Sequence, residues 1–122
     1  MATHKKTLVM GASTEPSRYA YKAINMLRRY GHPVVAIGKK ADELDGIKIE
    51  KGQVQYDGVD TVTLYLNPMN QRQYYDYIIG LKPRRVIFNP GTENPEFYSL
   101  LKENGIAVET GCTLVMLSIN QY

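Results

Sequence analysis

The stretch of sequence that decides the fold is TLVMGASTEPSR, which runs from Thr7 to Arg18. It opens with the apolar run of a buried β-strand, continues through a turn at Gly11 and leads directly into an amphipathic helical pattern. A glycine turn between a strand and a helix leaves backbone N–H groups and the positive end of the helix dipole free to meet an anion. The stretch therefore predicts an anion site, suited to a phosphate, near the start of the chain.

The helical pattern after this turn has one apolar face. Ala20, Ala23, Ile24 and Leu27 follow the i, i+3, i+4, i+7 spacing of a helix. Gly31 stands where a C-cap glycine belongs. The pattern predicts an amphipathic helix that ends at this glycine.

Strand-like and helix-like segments alternate along the rest of the chain. Buried strands are predicted over residues 6–10, 33–37, 60–66, 85–88 and 106–109, with a short edge strand at 46–49. Asn67-Pro68 and Asn94-Pro95 have the cap-then-proline pattern of helix starts, and residues 114–119 are assigned to a helix. Because this alternation implies right-handed crossovers, we predict a Rossmann-like, doubly wound α/β fold with a mostly parallel five-stranded sheet and helices on both faces.

Composition bounds the class of protein. With 122 residues and 43% hydrophobic content, the chain is predicted to form a single domain, residues 1–122. Its apolar runs are shorter than the ~18 residues of a membrane span and its N-terminus lacks a secretory pattern, so we expect a soluble, cytoplasmic protein. The basic residues behind the net charge of +3 are scattered, which argues against a nucleic-acid partner. The single cysteine, Cys112, excludes an internal disulfide and a metal site of paired thiolates.

The functional site is expected on one rim of the sheet. In a doubly wound sheet the ligand crevice lies beyond the carboxyl ends of the strands, where the strand order reverses. The loops predicted at those ends are residues 11–18, 38–40, 67–70, 89–94 and 110–112. Nearly all the polar or conformationally special residues of interest fall on these loops.

The first of these loops is neither a full dinucleotide fingerprint nor a P-loop. The G-x-G-x-x-G pattern would require glycine at positions 13 and 16, where the chain has Ser13 and Pro16, and no Gly-Lys-Ser/Thr follows. What remains is a one-glycine turn with the hydroxyls of Ser13 and Thr14 and the guanidinium of Arg18 available to a diphosphate. An ordinary strand-to-helix turn with a surface arginine is the alternative.

The loop after the second predicted strand carries basic residues. An NAD site usually has Asp or Glu there to bind the ribose hydroxyls, whereas this chain has Gly38-Lys39-Lys40. Two ammonium groups suit a ribose phosphate, which favours coenzyme A or NADP over NAD. A solvated lysine pair on a loop is the alternative.

A set of residues spread along the whole chain has a joint spacing more specific than any one motif. The set comprises Gly11-Ala12-Ser13, Arg18, Tyr21, Asp60 at the start of a strand that leads to Pro68, Gly91-Thr92-Glu93-Asn94 after a strand, and Cys112. In this set the chain resembles the small, single-domain CoA-binding proteins, which are Rossmann-like and related to the CoA-binding domain of the succinyl-CoA synthetase alpha subunit.

The resemblance implies coenzyme A or an acyl-CoA as the ligand. It implies that the turn from Gly11 to Ser13 and Arg18 hold the diphosphate and that Lys40 meets the nucleotide phosphates. It also implies that the loops at Pro68 and Gly91 border the ligand and that Cys112 lies on the rim. The predicted cofactor-binding residues are Gly11, Ala12, Ser13, Thr14, Arg18, Tyr21, Lys39, Lys40, Pro68, Gly91 and Cys112, with no catalytic residue and no metal ligand.

The chain departs from the family pattern at two positions. The family usually has Asn-Pro after the second strand, where this chain has Gly38-Lys39, and it often has an arginine where this chain has Leu66. These departures bear on the adenosine end of the site and on the polar contacts of the crevice, and they leave the diphosphate turn unchanged.

The sequence favours a CoA-binding or regulatory module over a complete enzyme. An NADP-dependent oxidoreductase or another nucleotide-binding enzyme is the main alternative, although missing glycines and the lack of a second, substrate-bearing domain argue against it. An interaction module whose turn binds nothing specific is a third. Tyr74, Tyr75 and Tyr77 fit either the association surface of a homodimer or the edge of the core, and the sequence leaves both open.

Overall fold

A computed structural model describes residues 4–122 of the chain. The strands are β1 (Thr7–Ala12), β2 (Val34–Gly38), β3 (Asp42–Leu44), β4 (Ile47–Glu50), β5 (Thr61–Leu64), β6 (Arg85–Phe88) and β7 (Ala107–Thr110). The helices are α1 (Tyr19–Arg29), α2 (Pro68–Gln71), α3 (Tyr75–Leu81), α4 (Pro95–Glu103) and α5 (Thr113–Ser118), with a 3-10 turn at Arg72–Tyr74 between α2 and α3. The helix predicted near the C-terminus is confirmed as α5.

The strands form one mixed sheet in the order β3-β4-β2-β1-β5-β6-β7. Every neighbouring pair is parallel except β3 with β4. The predicted Rossmann-like, mostly parallel α/β fold is therefore confirmed. The predicted number of strands was wrong, because residues 4–122 form a sheet of seven strands and not five.

The extra strands arise from a β-hairpin after β2. Asp45 and Gly46 have φ angles of 47° and 86°, as the two central residues of a tight hairpin turn between β3 and β4 require. β4 covers the segment predicted as an edge strand, but it pairs with β2 and lies inside the sheet. The edge strand on this side of the sheet is β3, which has three residues, two of them exposed and polar, so no hydrophobic pattern predicts it.

Alternating side chains of the central strands build a core on each face of the sheet. On one face, Leu8 and Met10 of β1 are fully buried in a cluster that includes residues of α3 and α4. On the other face, Val9 packs with Ile24 and Leu27 of α1. A strand that is buried on both sides is what the near-continuous apolar run of β1 predicts for a parallel sheet.

The helix predicted behind Asn67-Pro68 is broken into three pieces. Asn67 caps α2 by accepting a hydrogen bond from the N–H of Asn70 at 2.9 Å, as the sequence suggests. After one turn, the buried amide of Gln71 donates to the carbonyls of Leu66 and Thr92 at 2.8 and 2.9 Å. This anchoring holds the first turn against neighbouring loops, and a 3-10 turn then leads into α3.

The helix α1 ends as its glycine predicts. Gly31 has φ of 85°, its N–H donates to the carbonyl of Arg28, and the N–H of His32 donates to that of Leu27. These paired bonds are the Schellman arrangement, which turns the chain into β2. Among residues 4–122, no helix is long and apolar enough to cross a membrane.

Candidate functional site

A cleft of about 500 Å³ opens at the carboxyl ends of β1, β2 and β5. Its lining residues are Gly11, Ala12, Ser13, Thr14, Glu15, Arg18, Lys39, Lys40, Asp42, Ile49, Tyr65, Leu66, Asn67 and Asn70. β1 lies between β2 and β5 in the sheet, so the chain leaves β1 toward one side and later returns on the other. The cleft thus lies at the topological switch point, where α/β proteins bind their ligands.

Gly11 lies near the end of β1, at the register shift between Met10 and Ala12, and this position requires glycine for two reasons. Its φ of 87° is in the left-handed region, and a Cβ built there would lie 2.9 Å from the carbonyl oxygen of Tyr65. That carbonyl belongs to the segment after β5, whose N–H at Tyr65 donates to the carbonyl of Met10 at 2.9 Å. The close approach of two backbones therefore shapes this wall of the cleft.

Gly38, the last residue of β2, allows a similarly close approach between the backbones of β2 and β1. A Cβ there would lie 2.6 Å from the carbonyl oxygen of Ala12 and 3.0 Å from Cγ2 of Ile49. The pairing of β1 with β2 shifts register between Met10 and Ala12, which bends the end of β1. Gly38 thus allows the backbones of β2 and β1 to approach closely just before Lys39.

The hydroxyls of the turn have partners within the protein. Ser13 Oγ accepts a hydrogen bond from the N–H of Glu15 at 3.0 Å, and Thr14 Oγ1 donates to Oδ2 of Asp42 at 3.3 Å. The Ser13 hydroxyl keeps its own hydrogen to donate to a ligand, because it acts only as an acceptor in this contact.

The N-terminus of α1 faces the cleft and has no acidic residue in its first turn. Its N-cap, Arg18, makes no side-chain cap hydrogen bond to any described residue. The free N–H groups of the first turn and the positive end of the helix dipole are therefore available to an anion. The exposed guanidinium of Arg18 adds a formal charge at the same place.

Both signs of charge line the cleft. Arg18, Lys39 and Lys40 are basic, whereas Glu15 and Asp42 are acidic. All these residues are exposed, so their electric fields are screened by water and salt. The cleft can attract an anion, but the carboxylates restrict where that anion can lie.

A smaller cavity of about 160 Å³ adjoins the cleft and shares Gly11, Lys39, Leu66 and Asn70 with it. The other residues that line it are Met10, Ile37, Gly38, Gln73 and Tyr74. Its walls are more apolar than those of the cleft, because the ends of β1 and β2 and the ring of Tyr74 contribute to them. Together the two spaces offer a polar part for charged groups and an apolar part for a flat or aliphatic group.

Tyr65 lines the cleft, and its hydroxyl is buried close to the hydroxyls of Thr63 and Thr113. It makes no well-formed hydrogen bond to any residue of 4–122, and burial raises the pKa of this phenol well above its usual value. The side chain is therefore neutral and cannot serve as a base near neutral pH. A buried donor without a partner costs stability.

Buried amides hold the loops around the site. Asn89 Nδ2 donates to Thr63 Oγ1 at 2.6 Å and to the carbonyl of Leu64 at 2.9 Å, and its Oδ1 accepts from the N–H of Thr113 at 2.9 Å. Asn94 caps α4 and donates to Oε1 of Gln71 at 2.9 Å. The loops after β5, β6 and β7 are thus fixed to one another.

The structure brings most of the predicted site residues together. Seven of them line the cleft, namely Gly11, Ala12, Ser13, Thr14, Arg18, Lys39 and Lys40. The other four lie outside its lining. Tyr21 packs on the core beneath α1, and Pro68 is the first residue of α2, between the lining residues Asn67 and Asn70.

Gly91 and Cys112 lie on loops further along the same rim. The N–H of Gly91 donates to Oε1 of Glu93 at 2.9 Å, in the loop between β6 and α4. Cys112 is the N-cap of α5 and is half-buried. Among residues 4–122, no group of three His, Cys, Asp or Glu side chains could hold a metal ion.

Sequence reasoning missed several lining residues, above all Asp42. The signal for it is the Asp45-Gly46 pair, a dipeptide typical of two-residue hairpin turns. Placing a hairpin there puts the start of β3 beside the end of β4, which in turn pairs with the end of β2. Tyr65 and Asn70 follow β5 and could have been found from the rim argument alone.

The chain matches the protein family described as CoA binding domain over residues 5–118. A comparison with curated proteins gives no significant match. A solved structure of an uncharacterized protein is 51% identical, with a TM-score of 0.96, and covers 99% of this chain and 100% of that one.

Two further solved structures share the fold. A protein from Thermus thermophilus is 26% identical with a TM-score of 0.86, covering 98% of this chain and 91% of its own. A hypothetical protein from Pyrococcus horikoshii is 24% identical with a TM-score of 0.86, covering 97% of this chain and 84% of its own.

Proposed function

This chain belongs to the CoA binding domain family, and on that premise we propose that it binds coenzyme A or an acyl-CoA in the cleft beside Gly11. The observation that carries the proposal is the coincidence of the glycine turn, the open N-terminus of α1 and three cationic side chains in one cavity. A diphosphate is the ligand group that such a combination suits best.

The diphosphate is proposed to lie against the turn from Gly11 to Ser13. A Cβ at Gly11 would meet the Tyr65 carbonyl, so glycine lets the two backbones close against each other and form the wall against which the anion would lie. Arg18 would then donate a charge-assisted hydrogen bond from the opposite side. Lys39 and Lys40 are proposed to contact the ribose phosphate, because they lie at the end of the neighbouring strand.

The chain is proposed to act as a binding or regulatory module and not as a complete enzyme. Both histidines, His4 and His32, precede strands and lie at the amino ends of the sheet, away from the cleft. Tyr65 is neutral and buried, and the cleft lining contains no thiol. The residues that line the cleft thus supply charge and shape. The hydroxyl–carboxylate contact among them, from Thr14 to Asp42, is an exposed bond of 3.3 Å, and the lining holds no histidine.

The test is isothermal titration calorimetry with CoA and with NADP. Wild-type protein is expected to bind CoA more tightly than NADP. Arg18→Ala is expected to weaken CoA binding about 10- to 100-fold, the effect of losing one charge-assisted hydrogen bond. Arg29→Ala is the matched control, since Arg29 is an exposed arginine at the other end of the same helix. It should leave CoA affinity unchanged.

The ribose phosphate is tested with dephospho-CoA. Wild type should bind CoA more tightly than dephospho-CoA at low salt, and Lys39→Ala/Lys40→Ala should reduce that gap. Equal or tighter binding of NADP by wild type would instead support the oxidoreductase alternative. Equal effects of the two arginine substitutions would remove Arg18 from the site.

A further inference from the structure

Asp42 lies in the cleft beside the cations that are proposed to bind phosphate. It is the first residue of β3, and the loop that carries Lys39 and Lys40 leads directly into it. The β3–β4 hairpin places β3 at the edge of the sheet and returns its start to the cleft. A carboxylate thus lines the same cavity as the lysine pair.

Two hydrogen bonds orient this carboxylate. Its Oδ1 accepts from the N–H of Glu43 at 2.8 Å, and its Oδ2 accepts from Oγ1 of Thr14 at 3.3 Å. The second bond joins the β1–α1 turn to the hairpin across the cleft. Each oxygen retains acceptor capacity, because a carboxylate offers about four lone-pair positions.

Opposite charges that line one cleft can distinguish ligands by where their phosphates lie. A phosphate is attracted to the lysines and repelled by Asp42, whereas a hydroxyl can donate to Asp42 without repulsion. Two ligands with the same total charge but different phosphate positions should therefore bind with different affinities.

We propose that Asp42 is a specificity-determining residue, whose carboxylate accepts a hydrogen bond from the ribose 2′-hydroxyl while Lys39 and Lys40 contact the 3′-phosphate. This inference rests on the proposed function and extends it to the nucleotide end of the ligand. CoA has a 3′-phosphate and a free 2′-hydroxyl. NADP has its phosphate at the 2′ position, where Asp42 repels it.

The test uses two isomeric probes, 3′,5′-ADP and 2′,5′-ADP, which differ only in the placement of one phosphate. Calorimetry at low salt is expected to show that wild type binds 3′,5′-ADP about tenfold more tightly, the size of one hydrogen bond and one exposed charge repulsion. Asp42→Asn keeps the shape of the side chain and removes its charge. This variant should bind 2′,5′-ADP more tightly than wild type does, and the difference in affinity between the two probes should become smaller.

Glu43→Gln is the matched control. It removes one carboxylate from the neighbouring exposed position, which does not contribute to the cleft lining, so net charge changes equally. In this variant the difference in affinity between the two probes should remain. If that difference becomes equally smaller in both variants, the effect is one of net charge, and the role of Asp42 is overturned.

The two levels of the proposal fail in different ways. If wild type binds CoA but binds the two probes equally, the specificity role of Asp42 is wrong and CoA binding stands. If wild type binds neither CoA nor either probe, CoA binding itself is wrong, and the inference that rests on it is overturned as well.

Discussion

Replacing Gly11 with alanine tests whether close backbone packing, and not only dihedral freedom, requires glycine at the turn. Gly11 has φ of 87°, and an added Cβ would lie 2.9 Å from the Tyr65 carbonyl oxygen and 3.2 Å from Cδ2 of Leu66. The leucine methyl can move. The carbonyl cannot move freely, because Tyr65 directly follows β5 and its N–H donates a hydrogen bond to the carbonyl of Met10 in β1.

Gly46→Ala measures the dihedral effect alone. Gly46 has φ of 86°, and an added Cβ there would meet no described atom within 4 Å. A left-handed conformation costs an alanine about 1–2 kcal/mol, of which the loss of unfolded-state entropy offsets about 0.4–1 kcal/mol. We therefore expect Gly46→Ala to lower the free energy of unfolding by about 1 kcal/mol.

Gly11→Ala carries the same dihedral cost and adds overpacking, which costs about 1–3 kcal/mol in a well-packed site. The expected loss is therefore about 2–4 kcal/mol. Urea unfolding followed by circular dichroism measures both variants, and unchanged m-values would show that the comparison is valid. Equal destabilisation of the two variants would refute the argument that the Tyr65 carbonyl excludes a side chain.

Three further predictions concern buried polar groups. Asn89→Ala should lower the free energy of unfolding by about 3 kcal/mol, because it removes three side-chain hydrogen bonds at ~1 kcal/mol each. Asn104→Ala, at an exposed helix end, is the control. An equally small loss of stability in both variants would show that the hydrogen bonds of Asn89 do not stabilise the fold. Tyr65→Phe should be neutral or raise the melting temperature, because it deletes a buried hydroxyl that makes no well-formed hydrogen bond. Clear destabilisation would show that this hydroxyl is bonded to the neighbouring Thr63 or Thr113. Burial and the charge of Lys5 lower the pKa of His32, whose Nδ1 accepts a hydrogen bond from the N–H of Lys5. Below pH ~6.5 the unfolded state therefore binds more protons at His32, so stability should fall as the pH decreases through the lower folded pKa. His32→Asn should make the urea midpoint vary less between pH 7 and pH 5, and an unchanged pH profile would exclude His32 as the cause.

Much of the fold follows from local patterns. The apolar run of β1 and the amphipathic spacing of α1 lie within windows of a few residues, and so do the asparagine caps of α2 and α4. Such patterns express preferences of the backbone and of adjacent side chains, which do not depend on distant parts of the chain. The resemblance to CoA-binding proteins likewise follows from the sequence and is confirmed by the family match.

The hairpin shows where pattern reasoning fails. β3 has one buried residue among three, so hydrophobic alternation cannot reveal it. β4 has an apolar alternation, but its position inside the sheet depends on pairing with β2 on one side and with β3 on the other. The turn dipeptide Asp45-Gly46 is the local signal that β3 and β4 form a hairpin.

The sequence by itself determined the alternating α/β plan and the Gly11 turn, and it also identified Arg18 and the lysine pair as candidate cations. It could do so because these features depend on residues adjacent along the chain. The tertiary structure alone decided that Asp42 shares a cleft with those cations and that the Tyr65 carbonyl closes on Gly11. The contact of Asp42 with Thr14 and the approach of Tyr65 to Gly11 join segments tens of residues apart. They depend on the pairing of β1 with β2 and β5 and on the hairpin that pairs with β2.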